Sequence, residues 1–327
     1  MTSLKDIAKK LNLSVSVVSR ALNAAPDANA RVSENTKKLI LETAKRMHYR
    51  PNRYAEFMKR NRSAAIGVFI PDIANSLIAE LLLGISEEAN KHGFPVNIHN
   101  GLSKASYLDF MQNSINCASS GIITYSAEQY HQHETENILN EYCENGGKVL
   151  LLNNMNETKY VHLSMDEISG GRIAAEMLIK CRCDDYIVLH AVDNISRLRS
   201  DGFTNVLNDN GCHVSKFYLD DFNTLINLMK KNPDKKYGIF AVSDRGAINF
   251  IKQAASENIV CGRNYKITGY DNMDWTEFVS PSLSSVMQPF REQGKRAVQK
   301  LIAMIYGQKE KNELLTPAGI ERESTSE

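Results

Sequence analysis

The sequence predicts an α/β protein built as a small helical head, a short hinge helix and two doubly wound parallel-sheet subdomains. Three observations carry this. The first twenty-odd residues pattern as two short helices joined by a tight turn, with a third helix following. From Ala64 onward, apolar strand-length runs alternate with helical periodicity in two successive series. The charge is also divided: residues 1–62 carry fourteen Lys and Arg against five Asp and Glu, a net of +9, leaving −8 for the rest of a chain of net charge +1.

In the head, Ser3 is placed to cap a first helix, with Asp6 in the first turn where its charge suits the helix dipole. Ile7, Ala8 and Leu11 form its apolar stripe, and Asn12 takes the turn position that tolerates positive φ. Ser14 caps a second helix. Val15 and Ser16 open it and face outward with Ser19 and Arg20, while Val18 and Leu22 face in. A third helix runs from Glu34 to about Met47 behind a Ser33 cap, with Leu39, Ile40, Ala44 and Met47 as its stripe. Pro51 ends this element, and Asn52 can cap a short basic helix, only about two turns long and expected to order on its partner. A second helix that opens on small hydroxyl residues and ends on arginine suits entry into a DNA major groove, and the basic head suits phosphate.

In the body, Ile66–Ile70, Val96–His99, Gly121–Tyr125 and Val149–Leu152 read as a first series of strands, with Ser76–His92 helical between the first two. Tyr186–Ala191, Val214–Tyr218, Tyr237–Val242 and Lys266–Tyr270 form the second series. Right-handed crossovers then make two parallel sheets, and a ligand belongs beyond the carboxyl ends of the strands, in the cleft between subdomains. Asp72, Asp244 and Asp271 follow strands, and Arg197 and Arg199 open the helix after Tyr186–Ala191. Carboxylates and guanidiniums suit ligand hydroxyls. The lesser alternative is that these residues cap the following helices, as Asp244 at a helix start illustrates, and both roles can hold at once.

Several classes are excluded. No apolar run approaches the roughly 20 residues that span a bilayer, and the N-terminus lacks the basic-then-apolar order of a secretion signal. No G-x-G-x-x-G opens a βα unit, and neither a P-loop lysine motif nor a G-x-S-x-G elbow is present, so an enzyme is not expected. The six cysteines are scattered. Cys181 and Cys183 alone are close, without further ligands, so reduced thiols in a cytoplasmic protein are expected and neither metal nor cofactor is implied. His131 and His133 lie in a polar loop and read as solvated.

The motifs LKDIAKKLNLSVSVVSRALN, RVSENTKK, YRPN, PDIAN, GYDN, VMQPFREQGKRAV and ERESTS run in order along nearly the whole chain. In this the sequence resembles the lactose-repressor (LacI/GalR) family of transcription regulators, whose body resembles a periplasmic sugar-binding protein. The resemblance implies that Val15, Ser16 and Arg20 read base edges and that Ser14, Ser19, Asn23, Arg31 and Thr36 touch phosphates. It puts Asn52, Ala55 and Met58 on a hinge helix in the minor groove, Met58 standing where the family has a wedging leucine. It places Arg197, Asp244 and Asp271 at effector-contact positions and Phe222 as an aromatic that stacks on the ligand ring; Gln288 near the cleft is a weaker candidate, and Asp72 is one by its place after the first strand. Arg199 remains either an effector contact or a scaffold ion-pair partner. The implied organisation is a head at 1–49, a hinge at 50–63, and a body at 64–327. The body's first subdomain covers about 64–162 and 290–317, its second about 163–289 and 318–327. The implied protein is a homodimer, with its interface around Leu77–Glu88 and after Asp274, that binds double-stranded operator DNA and a sugar or related metabolite, most often as a repressor of carbohydrate-metabolism genes. The readings weighed against it are a solute-binding protein and a sugar-processing enzyme.

Overall fold

The computed structural model describes residues 2–22, 32–49, 57, 61–125, 132–154 and 157–326. The head opens with α1 (Leu4–Leu11), held by a reciprocal box in which Ser3 Oγ accepts from the Asp6 N–H and the Asp6 carboxylate accepts from the Ser3 N–H. Asn12 ends the helix in the left-handed region at φ 51°. Then α2 (Val15–Leu22) starts where Ser14 Oγ accepts from the Val17 N–H, and α3 (Glu34–Arg46) follows its Ser33 cap. Ile7, Ala8, Val18, Ala21, Ile40 and Ala44 close a small core between the three. Leu39 is not part of it: it is 46% exposed. Ile40, Thr43, Ala44 and Met47 keep the i, i+3, i+4, i+7 spacing of one helix face, and Leu39 sits about 100° away from Ile40.

Two six-stranded sheets make the body. Their elements are β1 (Ser63–Ile70), α4 (Ser76–Lys91), β2 (Val96–Asn100), α5 (Lys104–Asn116), β3 (Ser119–Tyr125), α6 (Gln132–Glu144), β4 (Lys148–Leu152), β5 (Val161–Met165), α7 (Glu167–Ile179) and β6 (Asp185–His190). They continue with α8 (Asn194–Asp209), β7 (Val214–Tyr218), α9 (Phe222–Lys231), β8 (Tyr237–Ala241), α10 (Asp244–Ser256), β9 (Tyr265–Asp271), a 3-10 turn (Asp274–Glu277), β10 (Ser284–Met287), α11 (Phe290–Ile305), β11 (Glu313–Leu315) and β12 (Ala318–Ile320). The first sheet has the order β11-β5-β4-β3-β1-β2 and the second β12-β10-β9-β8-β6-β7. Every pairing is parallel except β10 with β12. The central strands are apolar on both faces, as sheets covered by helices on both sides require.

Strands β10, β11 and β12 are short and carry no clear alternation or apolar run, while β5 alternates Val161, Leu163 and Met165 with His162 and Ser164 over only five residues; none of the four is among the strands read from the sequence. They matter because the chain passes between the sheets three times, at Asp166, at Gln288–Pro289 and at Thr316–Pro317. The first passage lies at Asp166 rather than at 162/163, because β5 pairs with β4 and β11 through Met165. Phe57 packs against Phe94 in the core of the first sheet, ring centroids 5.6 Å apart, so the chain is anchored to the body just before β1. All six cysteines are free thiols. No helix among the described residues is long and apolar enough to cross a membrane.

Candidate functional site

Two surfaces follow from this framework. On the head, the first turn of α2 presents Ser14, Val15 and Ser16 outward, with the Ser14 and Ser16 hydroxyls hydrogen-bonded at 2.9 Å. Arg20 lies one turn further along, its Nε donating to the Ser16 carbonyl at 3.2 Å, beside the half-buried Ser19. Thr36 sits in the first turn of α3, its hydroxyl 2.8 Å from that of Ser33. Val15, at the start of the capped helix, stays 40% exposed and outside the head's core, whereas Val18, three residues on, is fully buried. Asn23, Arg31, Asn52, Ala55 and Met58 lie outside the described residues, as does His131.

The second surface lies between the sheets. Its centre is Arg199 on α8, a buried guanidinium. Arg199 Nε donates to Glu167 Oε2 at 2.7 Å and Nη2 to Glu167 Oε1 at 3.3 Å, while Nη1 donates to the Val242 carbonyl at 2.8 Å. Asp271 Oδ1 stands 3.6 Å from Nη1 and accepts from the Gln288 amide at 2.7 Å. Tyr270 lies 3.7 Å beneath the guanidinium and donates its hydroxyl to Glu167 Oε2 at 2.8 Å. Close helix packing allows this. A Cβ on Gly171 of α7 would stand 1.9 Å from the Arg199 carbonyl, and one on Gly202 of α8 would stand 2.1 Å from the Ile168 carbonyl. Only glycine lets α7 and α8 approach so far that Glu167 meets Arg199. Asp271 adopts φ 110°, a left-handed turn at the end of β9 that puts its carboxylate beside Arg199 and Gln288.

Burial dominates the electrostatics. It pushes the Asp271 carboxyl up to about 6, against the Arg199 charge and the Gln288 hydrogen bond, which favour the ionised form. It would also lower the Arg199 pKa, but Glu167 and Asp271 more than offset it and the guanidinium stays charged. Pockets flank the cluster where the chain passes between the sheets. One, of about 280 Å³, is lined by Ser76 and Leu77 of α4, by Asp271, Asn272 and Met273, and by Met287–Glu292 around the second passage. The other, of about 250 Å³, is lined by Asn153, Asn154, His162, Ser164, Glu167, Ile195 and Leu198 among others.

Of the six residues expected at the cleft, the structure brings Asp271 and Gln288 together and moves the other four away. Arg197 is 62% exposed and pairs along its own helix with Asp201 at 3.3 Å. Two residues apart on a helix is about 200° of rotation, so Arg197 and Arg199 face opposite ways. Asp244 is fully buried and consumed by the scaffold: Oδ1 accepts from the Ser285 hydroxyl at 2.6 Å and Oδ2 from the Met273 N–H at 2.8 Å. The helix cap there is Ser243. Phe222 joins the core stripe Leu225, Ile226 and Met229 and packs edge-on to Phe250, so it is not free to stack on a ligand. Asp72 is exposed, its Oδ1 accepting from the Ala74 N–H at 2.9 Å as a turn residue, and it lines neither pocket. Sequence reasoning missed Glu167, Asn153 and Asn154, which lie just beyond the carboxyl ends of β5 and β4. Among the described residues no group of three His, Cys, Asp or Glu side chains is arranged to hold a metal.

A capped helix-turn-helix joined to a two-sheet body with a polar cleft defines a DNA-binding regulator of the ligand-sensing class. Residues 3–52 match the model for bacterial regulatory proteins of the lacI family, and residues 175–325 match that for a periplasmic binding protein-like domain. The chain is 24% identical over 313 residues to catabolite control protein A of Priestia megaterium, covering 91% of each chain. It is 26% identical over 315 residues to the ribose operon repressor of Halalkalibacterium halodurans, covering 93% of this chain and 91% of that one. Its fold is shared with a Lac repressor dimer bound to operator and an anti-inducer, at a TM-score of 0.67, 20% identity and 99% coverage of both chains. The chain thus joins a lacI-family DNA-binding domain to a periplasmic-binding-protein-like domain, and its relatives are transcriptional regulators.

Proposed function

We propose that this protein is an effector-responsive repressor of carbohydrate-metabolism genes, a homodimer acting on double-stranded operator DNA in the cytoplasm and sensing a small neutral sugar or related polyol between its two sheets. The observation that carries this is the pairing of a capped recognition helix, exposed at Val15 and Ser16, with a buried Arg199–Glu167–Asp271 cluster that opens into pockets at the passages between the sheets. A ribose operon repressor among its relatives agrees with the sugar reading. Val15, Ser16 and Arg20 read base edges in this proposal, and Ser14, Ser19 and Thr36 hold phosphates. Asn23, Arg31 and the hinge residues Asn52, Ala55 and Met58 complete the DNA contacts. In a symmetric dimer two heads address a pseudo-palindromic site.

Asp271 and Gln288, with Glu167, contact the effector, and Arg199 behind them holds the two carboxylates in place. Glu80, Asp271, Asp274 and Glu292 line the larger pocket, and Arg291 there is already paired with Glu80 and Glu87. That surplus of carboxylates favours hydroxyl donors and disfavours phosphorylated sugars and uronates. The experiment is a thermal-shift screen of the full chain with neutral sugars, polyols, uronates and sugar phosphates. A ligand at a hundredfold excess over its Kd stabilises the body by about 2.7 kcal/mol. Asp271→Ala should lose the response to the hit while keeping DNA affinity. A uronate or sugar phosphate as sole hit, or an undiminished response in Asp271→Ala, rejects the cleft assignment.

A further inference from the structure

We infer a second binding site, for a phosphate-class oxyanion, in the pocket between Arg62 and Lys148 where the chain enters the body. The pocket holds about 200 Å³ and is lined by Phe57, Arg62, Ser120, Asn145, Gly146, Lys148 and Ile305. It is separate from the cleft between the sheets, and no carboxylate is among its described lining residues.

The argument starts from Arg62. Its Nε and Nη2 are buried and have no hydrogen-bond partner. These two atoms form the side-on fork of the guanidinium, the edge that binds two oxygens of one oxyanion in parallel. Shutting charged donors away from water without an acceptor is among the costlier defects a fold carries. Tyr142 offers Arg62 only its ring face at 5.4 Å, since the Tyr142 hydroxyl donates to the Ser119 carbonyl at 2.6 Å. Nor do the neighbouring polar groups supply an acceptor. Ser120, whose Oγ donates to the Ser63 carbonyl, and Asn145, whose Nδ2 donates to the Glu141 carbonyl, form no hydrogen bond to Nε or Nη2 of Arg62. Lys148 adds a second cation to the same wall, and no ion pair of either side chain is formed among the described residues. An oxyanion seated between them supplies the missing acceptor and neutralises both charges.

The location gives the site a consequence. The Arg62 N–H donates to the Phe57 carbonyl at 3.0 Å, so one side of the pocket is formed by Phe57 and Arg62 just before β1, and another by Asn145, Gly146 and Lys148 at the entry to β4. An anion here ties the chain leading from the head to the body. Two sources share this chemistry, a small phosphate-bearing solute and a DNA backbone phosphate.

The test uses the full chain in a buffer free of oxyanions. Inorganic phosphate should raise the melting temperature saturably, by about 3 °C at tenfold excess over its Kd, beyond an ionic-strength-matched chloride control. Arg62→Gln and the half-exposed Lys148→Gln should each abolish that rise, the second guarding against a folding defect in the first. If the occupant is DNA, free phosphate gives no rise, and each variant lowers the slope of log affinity against log salt by about 1 in fluorescence anisotropy with a duplex. A phosphate effect equal in wild type and both variants, or no phosphate effect together with an unchanged slope, overturns the site.

Discussion

Asp244 illustrates how a side chain chosen for chemistry can be claimed by structure. Its carboxyl is buried behind Ser285 and the Met273 N–H, and burial raises it to about 7 against hydrogen bonds that favour ionisation. The folded pKa therefore lies above the ordinary value of 3.8. Between about pH 4 and 7 the folded state holds a proton that the unfolded chain has released, so this residue's contribution to stability is complete below pH 4 and is lost as pH rises through 7. Asp244→Asn keeps one acceptor for Met273 and offers Ser285 a donor. Urea titrations across pH 4–8 should show a downward slope in the wild type that is reduced in the variant. The difference is a few kcal/mol at most, since each tenfold difference in proton affinity between the folded and unfolded chain is worth about 1.4 kcal/mol. Parallel slopes would mean that Asp244 is ionised throughout. Arg199 gives the opposite case. Arg199→Met leaves Glu167 and Asp271 buried without their cation, and should cost about 3–5 kcal/mol in urea unfolding at pH 7. Arg197→Met, on the solvent side of the same helix, should change stability by under ~0.5 kcal/mol.

At the level of elements, the site depends on how α7 and α8 lie against each other. Gly202→Ala would force a methyl into the Ile168 carbonyl and push α8 outward, at a cost of about 1–3 kcal/mol. It should also weaken the effector response, because Arg199 moves off Glu167. A loss of stability with full effector affinity would separate the packing from the site. The element scale also explains what is legible in the sequence. The head reads nearly residue by residue because its signals are local: the Ser3–Asp6 box, the Asn12 turn and the Ser14 and Ser33 caps all lie within a few positions of what they control. The long central strands are equally plain from their apolar runs. Strand β5 is less plain: Val161, Leu163 and Met165 alternate with His162 and Ser164, but over only five residues, and when it is passed over Glu167 goes with it. For Arg199 and Phe222 the sequence does hold the deciding signal, in the spacing of their neighbours. Phe203 and Leu207 follow Arg199 at four and eight residues, and Leu225, Ile226 and Met229 follow Phe222 at three, four and seven. Both patterns mark a core face. Resemblance offers positions, but helical phase decides which neighbour turns inward.

The whole molecule consists of two sheets joined by three single-chain passages, with no β-ladder running between them among the described residues. The sheets can shift relative to each other without breaking ladder hydrogen bonds, and the groups proposed for the effector sit at those passages: Glu167 after the first, and Gln288 at the second, beside Asp271. The first sheet carries the anchored Phe57 and so the chain from the head. In the dimer proposed above, a ligand that favours one disposition of the sheets therefore biases how the two heads are presented to DNA, provided its affinity differs between the two dispositions. Such coupling must be reciprocal. If the effector changes operator affinity by a given factor, saturating operator must change effector affinity by the same factor, usually in the range of about 5–150-fold. Both quantities are measurable on the full chain, one by anisotropy of labelled operator with and without effector, the other by calorimetric titration of effector with and without operator. Equal factors of the same sign support a two-state body whose equilibrium both ligands bias. A change in operator affinity with no matching change in effector affinity would mean that the two titrations do not report the same equilibrium. Factors of one in both directions would mean that the cleft binds its ligand without speaking to the head.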